Sequence, residues 1–206
     1  MEKKPQVITV DLLRHGEPEG GRRYRGKTDD PLSEQGWQQM WDAVTHAPAW
    51  QSIITSPLSR CATFAQQLAD KRNIHCRVAA TLMEIGFGRW EGKTASEIQQ
   101  LYPEEFARFL ADPVNHSPTG AEQVVDFKAR IGQEWRRLLA DPGGDHILVV
   151  CHAGVIRMIL HHVLEFPLAA LFRLRVDYAS LTRVQITLQD HRRDDQLIFH
   201  NRIASL

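Results

Sequence analysis

Short, nearly continuous apolar blocks alternate along the chain with longer stretches in which apolar residues recur every three or four positions. Val7–Leu13 is β-branched and apolar almost throughout, as expected of a strand covered on both faces of a sheet. Ile53–Thr55, a stretch near Cys76–Ala79 and Ile147–Cys151 share that character. Arg175–Ala179, Leu181–Leu188 and Leu197–His200 read as further strands, the last two as an antiparallel edge pair. Between these blocks, Trp37, Met40, Trp41 and Val44 follow the cap-like Ser33 at helical spacing. Cys61, Phe64, Ala65 and Leu68 form the stripe of a helix running to about Arg72. A helix over about 121–139 carries Val124, Phe127, Ile131, Trp135 and Leu138 as a core stripe, and Val155–Leu164 is an apolar helix. Two short helices, 95–102 and 103–110, lie before a Pro/Gly break at 112–120. The alternation predicts an α/β fold, a three-layer α/β/α sandwich on a mostly parallel central sheet. One domain spans 1–206, with about 84–120 as a small helical insertion or lid over the site.

Composition narrows the function classes. The 25 Lys and Arg residues balance 25 Asp and Glu, so no global field attracts nucleic acid or an anionic membrane, and anion recognition has to be local. No apolar run reaches membrane-spanning length, and Met1–Pro5 leads directly into a strand, so a cytoplasmic location is expected. Cys61, Cys76 and Cys151 are odd in number and lack CxxC spacing, which argues for buried thiols over a disulfide framework or zinc site. Cys151 should point away from His152, so burial is favoured over a nucleophilic thiol.

The chemistry gathers at the ends of strands. The first strand runs into Arg14-His15-Gly16, and the strand Ile147–Cys151 into His152-Ala153-Gly154 with a helix behind it. Arg60 falls in the first turn of the helix after Ile53–Thr55, where free N–H groups already favour an anion. Glu84 opens a Gly-rich loop that continues through Trp90 to Gly92. In open α/β sheets, residues from several carboxyl ends converge on one crevice. Arg14, His15, Arg60, Glu84 and His152 together supply a nucleophile, cationic forks for equatorial oxygens and an acid for a leaving oxygen. The loop 17–31 holds Arg22, Arg23 and Arg25 and reads either as a collar for an acidic substrate or as a solvated basic loop. It lacks a P-loop signature, and His161 and His162, adjacent on one helix, diverge too far to share a metal. Trp90 is read as loop packing rather than a base-stacking surface.

Leu13-Arg14-His15-Gly16-Glu17, Asp30-Pro31-Leu32-Ser33 with Gly36, Ser56-Pro57-Leu58-Ser59-Arg60, Glu84 with Gly88-Arg89-Trp90-Glu91-Gly92, and Cys151-His152-Ala153-Gly154 occur in an order that resembles the histidine phosphatase superfamily. This is the phosphoglycerate mutase-like group, and the resemblance covers about 7–160. It implies a phosphoglycerate mutase-like fold in which His15 becomes phosphohistidine, Arg14, Arg60 and His152 hold the phosphoryl oxygens, and Glu84 acts as general acid and then base. It implies no cofactor and no metal. The expected partner is a small-molecule phosphate monoester, with no nucleic acid or membrane, and the choice between monomer and homodimer stays open.

Within the superfamily, the compact length and the loops 14–32 and 84–92 look most like α-ribazole phosphatases, which take α-ribazole 5′-phosphate or the cobalamin phosphate. A cofactor-dependent phosphoglycerate mutase, a broad-specificity small-molecule phosphatase and a non-catalytic phosphate-binding module are the alternatives. One position departs from the pattern. Many members carry asparagine six residues after the nucleophile, where this chain has Gly21. Arg22, Arg25 or a backbone N–H would then supply that contact, so Gly21, Arg22, Arg25 and Ala153 join Arg14, Arg60 and His152 as expected substrate-binding positions.

Overall fold

The structure is a computed structural model that describes residues 5–190 and 192–204. Six strands form one sheet: β1 (Gln6–Arg14), β2 (Ser52–Thr55), β3 (His75–Val78), β4 (His146–Cys151), β5 (Leu181–Gln189) and β6 (Arg192–Arg202), in the spatial order β3-β2-β4-β1-β5-β6. The first four are mutually parallel, whereas β5 runs antiparallel to both β1 and β6. The sheet is therefore mostly parallel, with a C-terminal antiparallel pair at one edge, as the strand pattern predicts.

The helices α1 (Glu34–Thr45) and α2 (Ser59–Arg72) cover one face, and α5 (Val124–Ala140) and α6 (Ala153–Leu164) cover the other. Alternation along β1 and β4 feeds both layers. Ile8, Val10 and Leu12 of β1 join Ile147, Val149 and Cys151 of β4 beneath α5 and α6, while Leu13, Leu148 and Val150 face α1 and α2. The exception inside β1 is Asp11. Its buried carboxylate accepts from Trp50 Nε1 at 2.8 Å and from Arg183 at 2.7 and 2.9 Å, with His146 Nε2 at 2.9 Å, so the desolvated charge is fully partnered.

Between β3 and α5 lie α3 (Ala95–Leu101) and α4 (Pro103–Ala111), a pair of short helices that build a second small core. Trp90, Ile98 and Phe109 are its centre, with Tyr24, Phe87 and Phe172 packed around them. Trp90 is fully buried there, edge-on to Tyr24, Phe106 and Phe109, which is the packing role predicted for it. A Thr94–Glu97 capping box starts α3.

Two predicted elements change. Arg175–Ala179 is not a strand: the chain turns there, Ala179 takes φ 50°, and its N–H bonds back to the His15 carbonyl. The segment's backbone serves the end of β1 instead of a sheet neighbour. The long helix starts at Val124 rather than 121, because Ala121 N–H closes a turn on Pro118 O and Glu122 is held by Arg130. Among the described residues, no helix is long and apolar enough to cross a membrane.

Candidate active site

Parallel pairing of β1 with β4 places Arg14 opposite Cys151, so both strands end level and deliver His15 and His152 side by side. The His15 N–H donates to Cys151 O at 3.0 Å, and the two imidazole centroids are 5.2 Å apart, edge to face. His15 Nδ1 lies 2.7 Å from Gly16 O. A carbonyl only accepts, so Nδ1 carries the ring proton and Nε2 keeps its lone pair. Burial, then the Arg14 and Arg60 charges, hold His15 well below the usual histidine range. His15 is thereby a neutral imidazole with one free basic nitrogen. Gly16 is required by crowding: a Cβ there would lie 2.1 Å from Gly36 O, so the chain can leave β1 against α1 only without a side chain.

The cations surround this ring. Arg14 donates from Nη1 to Val176 O at 2.7 Å and lies with Cζ 4.0 Å from the centre of the Tyr178 ring. Burial lowers it to about 10, which still leaves it charged near neutral pH. Arg60 is fully buried and donates to Thr28 O at 2.7 Å and Gly26 O at 3.1 Å. The Nε donors of both Arg14 and Arg60 are buried without a partner. A buried, charged donor that lacks an acceptor costs about 1–3 kcal/mol, a cost that a phosphoryl oxygen would relieve.

His152 is held by the Ser56 hydroxyl, 2.7 Å from Nε2, and by packing against Cys61, whose Sγ lies 3.7 Å from Nε2 and 3.8 Å from Nδ1. Burial, then Arg60, His15 and Arg14, lowers it well below the usual range, so it too is neutral. Burial pushes the thiols of Cys61 and Cys151 up, so both are protonated, inert packing groups.

Glu84 closes the site. It follows β3 by one 3-10 turn, and its Oε1 accepts from Ile85 N–H while Oε2 accepts from Gly154 N–H, each at 2.9 Å. Gly154 stands in the first turn of α6, where N–H groups have no partner inside the helix. A Cβ on Gly154 would lie 2.3 Å from Glu84 Oε1, so glycine is what allows the carboxylate to rest on the helix. Arg130 of α5 pins the turn below by donating to Thr81 O, Met83 O and Glu84 O at 2.6, 2.7 and 3.1 Å.

The loop collar divides. Arg25 is buried, and its donors go to Asp30, Gly21 O and Glu19 O, each at 2.5 Å, so it holds the loop together. Gly21 takes φ +70° with open space where a Cβ would stand, and its N–H bonds Pro18 O at 3.3 Å. Arg22 is exposed and makes no hydrogen bond or ion pair among the described residues, and Ala153 lines the cavity beside Glu84. That cavity, about 970 Å³, is bounded by the loop, α3 and the segment 172–178, and it meets the site at Arg14, Glu84 and Gly154 rather than at the histidine rings.

His15, Arg14, Arg60, Glu84 and His152, predicted from the sequence to share one crevice, lie near one another. Ser56 and Gly154 as supports, Arg130, Tyr178 and Arg157 were not predicted. Arg157 carried a signal, a single charge inside the apolar run Val155–Leu160. Tyr178 carried none, because its segment reads as a strand.

The profile of the histidine phosphatase superfamily (branch 1) matches residues 10–194, and the chain belongs to that superfamily. Among curated relatives, the bifunctional protein Rv2228c of Mycobacterium tuberculosis (strain ATCC 25618 / H37Rv) is 34% identical over 83% of this chain and 48% of its own length. The chain thus spans about half of that relative. The adenosylcobalamin/α-ribazole phosphatase of Salmonella typhimurium (strain LT2) is 28% identical over 85% of this chain and 89% of that protein. Among solved structures, the mycobacterial glucosyl-3-phosphoglycerate phosphatase Rv2419c superposes with a TM-score of 0.82 at 25% identity, covering 95% of this chain and 99% of that one. The named relatives include phosphatases and a probable phosphoglycerate mutase of Klebsiella pneumoniae.

Proposed function

We propose that the chain is a phosphomonoesterase that works through a phosphohistidine on His15, with no metal in the reaction. The observation that carries this reading is the His15 ring, neutral, protonated on Nδ1 toward Gly16 O and set between two arginines. Nε2 attacks phosphorus as the ester P–O bond breaks, and the departing alkoxide takes the proton of Glu84. Water then attacks the phosphohistidine, Glu84 accepts its proton, and the P–N electron pair returns to Nε2 as inorganic phosphate leaves. Arg14, Arg60 and His152 surround the transferring group, where preorganised donors act without reorganisation.

For the ester itself, similarity to the adenosylcobalamin/α-ribazole phosphatases makes α-ribazole 5′-phosphate and adenosylcobalamin 5′-phosphate candidates for the panel, and the aromatic walls Tyr24, Phe87 and Phe172 accommodate a ring-bearing leaving group. A panel of phosphomonoesters, run with and without chelator, tests the reading. Phosphate release unaffected by chelator is expected. Activity that disappears with chelator, or isomerisation of 3-phosphoglycerate in place of release, overturns it.

A further inference from the structure

Six arginines line the cavity that borders Glu84 and Gly154, yet most are committed to the protein. Arg23 donates to Gly20 O, Gly92 O and Glu97, Arg25 to three loop acceptors, and Arg175 grips Asp177 with both contacts at 2.9 Å. Arg14 belongs to the phosphoryl pocket. Arg157 and Arg22 are left. Arg157 anchors only its Nε, to Leu174 O at 2.8 Å, with Cζ 5.7 Å from the centre of the Phe172 ring. Among the described residues its terminal nitrogens have no acceptor, and no ion pair within 4 Å joins it to Glu84.

Its position in the sequence of chemical events is specific. A leaving oxygen has to lie against Glu84 to receive a proton, and Glu84 rests on Gly154. Arg157 is three residues further along α6 and so projects from the same helix face. Glu84, Tyr24 and Arg157 all line the same cavity, so all three surround one space. The atoms that follow the ester oxygen enter that space.

We propose that Arg157, assisted by Arg22, is an anion subsite for the leaving group, and that the preferred substrate is a phosphomonoester whose alcohol carries a carboxylate or a second phosphate. The guanidinium is held by Nε and offers its outer edge as a fork to such a group. This rests on the phosphomonoesterase reading and sharpens it. It ranks acid-bearing esters above α-ribazole 5′-phosphate, whose leaving group is an uncharged nucleoside.

The test compares matched esters on the full chain. The pairs are 3-phosphoglycerate with glycerol 3-phosphate, and fructose 1,6-bisphosphate with fructose 6-phosphate, with p-nitrophenyl phosphate reporting the basic reaction. The wild type should favour the acid-bearing member of at least one pair by about tenfold or more in kcat/KM. The first pair identifies a carboxylate site and the second a phosphate site. In Arg157→Gln that ratio should fall toward one, Arg157→Lys should retain part of it, and Arg22→Gln should lower it about threefold. No preference in either pair while p-nitrophenyl phosphate is hydrolysed overturns the subsite and leaves the phosphatase reading intact. So does an unchanged ratio in an active Arg157→Gln. If no ester at all is hydrolysed, the phosphatase reading fails and takes the subsite with it.

Discussion

At the floor of the site, His15 and His152 leave adjacent parallel strands in register, and backbone carbonyls, Ser56 and the sheet hold them before any substrate arrives. At the rim, Arg22, Tyr24 and Arg157 come from a Gly-rich loop and the side of a helix, and all three line the cavity. The floor is buried, and on the proposed reading it holds the phosphoryl group. The rim is more open, and the same reading assigns specificity for the leaving group to it. Change at the floor should therefore cost rate on every ester, whereas change at the rim should redistribute rates among esters.

The largest expected effect is at the nucleophile. His15→Ala should lower kcat by about 10⁴-fold or more on all esters alike; a variant that kept selective activity on one substrate would break the division. Arg60→Ala should cost about 10²–10³-fold through lost transition-state contacts. It should also loosen the loop that Arg60 holds at Gly26 and Thr28, visible as faster amide exchange over 26–30. Gly154→Ala tests where floor and rim meet. By displacing Glu84 it should cost about 10- to 100-fold with alkyl phosphates and far less with p-nitrophenyl phosphate, whose leaving group needs little protonation. Equal losses on both would show that Gly154 does not act through the acid.

The pH profile sharpens the floor further. His15 is depressed below 6.5, so it remains neutral and nucleophilic as pH falls through 6.5, and the acid limb of kcat/KM due to it should lie lower. A limb at 6.5 that NMR titration assigns to His15 would contradict the buried, cation-flanked ring. The smallest effect concerns the wall of the loop. Burial opposes ionisation of Glu91, but the Thr28 hydroxyl and the N–H groups of Lys27, Thr28 and Phe87 outweigh it and hold the carboxyl below 4.5. That contribution is present above pH 4.5 and is lost as pH falls through the lowered value. Glu91→Gln should cost about 1 kcal/mol near neutrality, discounted for partial exposure, and the gap from wild type should close in acid. Denaturant melts across pH check this.

Legibility followed the same division. Strand ends are marked by a change of pattern, so Arg14, His15, His152 and their neighbourhood could be read from apolar runs that stop at polar residues. Arg60 was legible because a proline sets the start of its helix. The insertion was recognisable as two short helices, but its inward face was not, since Trp90, Ile98 and Phe109 meet only in three dimensions. Arg25 looked like a substrate collar because charge in a loop does not reveal whether carbonyls of the same loop surround it. The segment 175–179 has the pattern of a strand because Val176 and Tyr178 alternate, whereas in the fold the carbonyl of Val176 and the ring of Tyr178 are used by Arg14. Residues recruited across more than a hundred positions by a backbone atom leave no local pattern.

The central claim is that His15 carries the phosphoryl group between two half-reactions. Rapid quench of the full chain with a ³²P-labelled phosphomonoester, followed by peptide mapping, tests it directly. Transient label is expected on the peptide containing His15, acid-labile and stable to alkali, lost in His15→Ala and drained by water as phosphate. Undiminished label in His15→Ala, or turnover with no labelled protein at any time point, would contradict it.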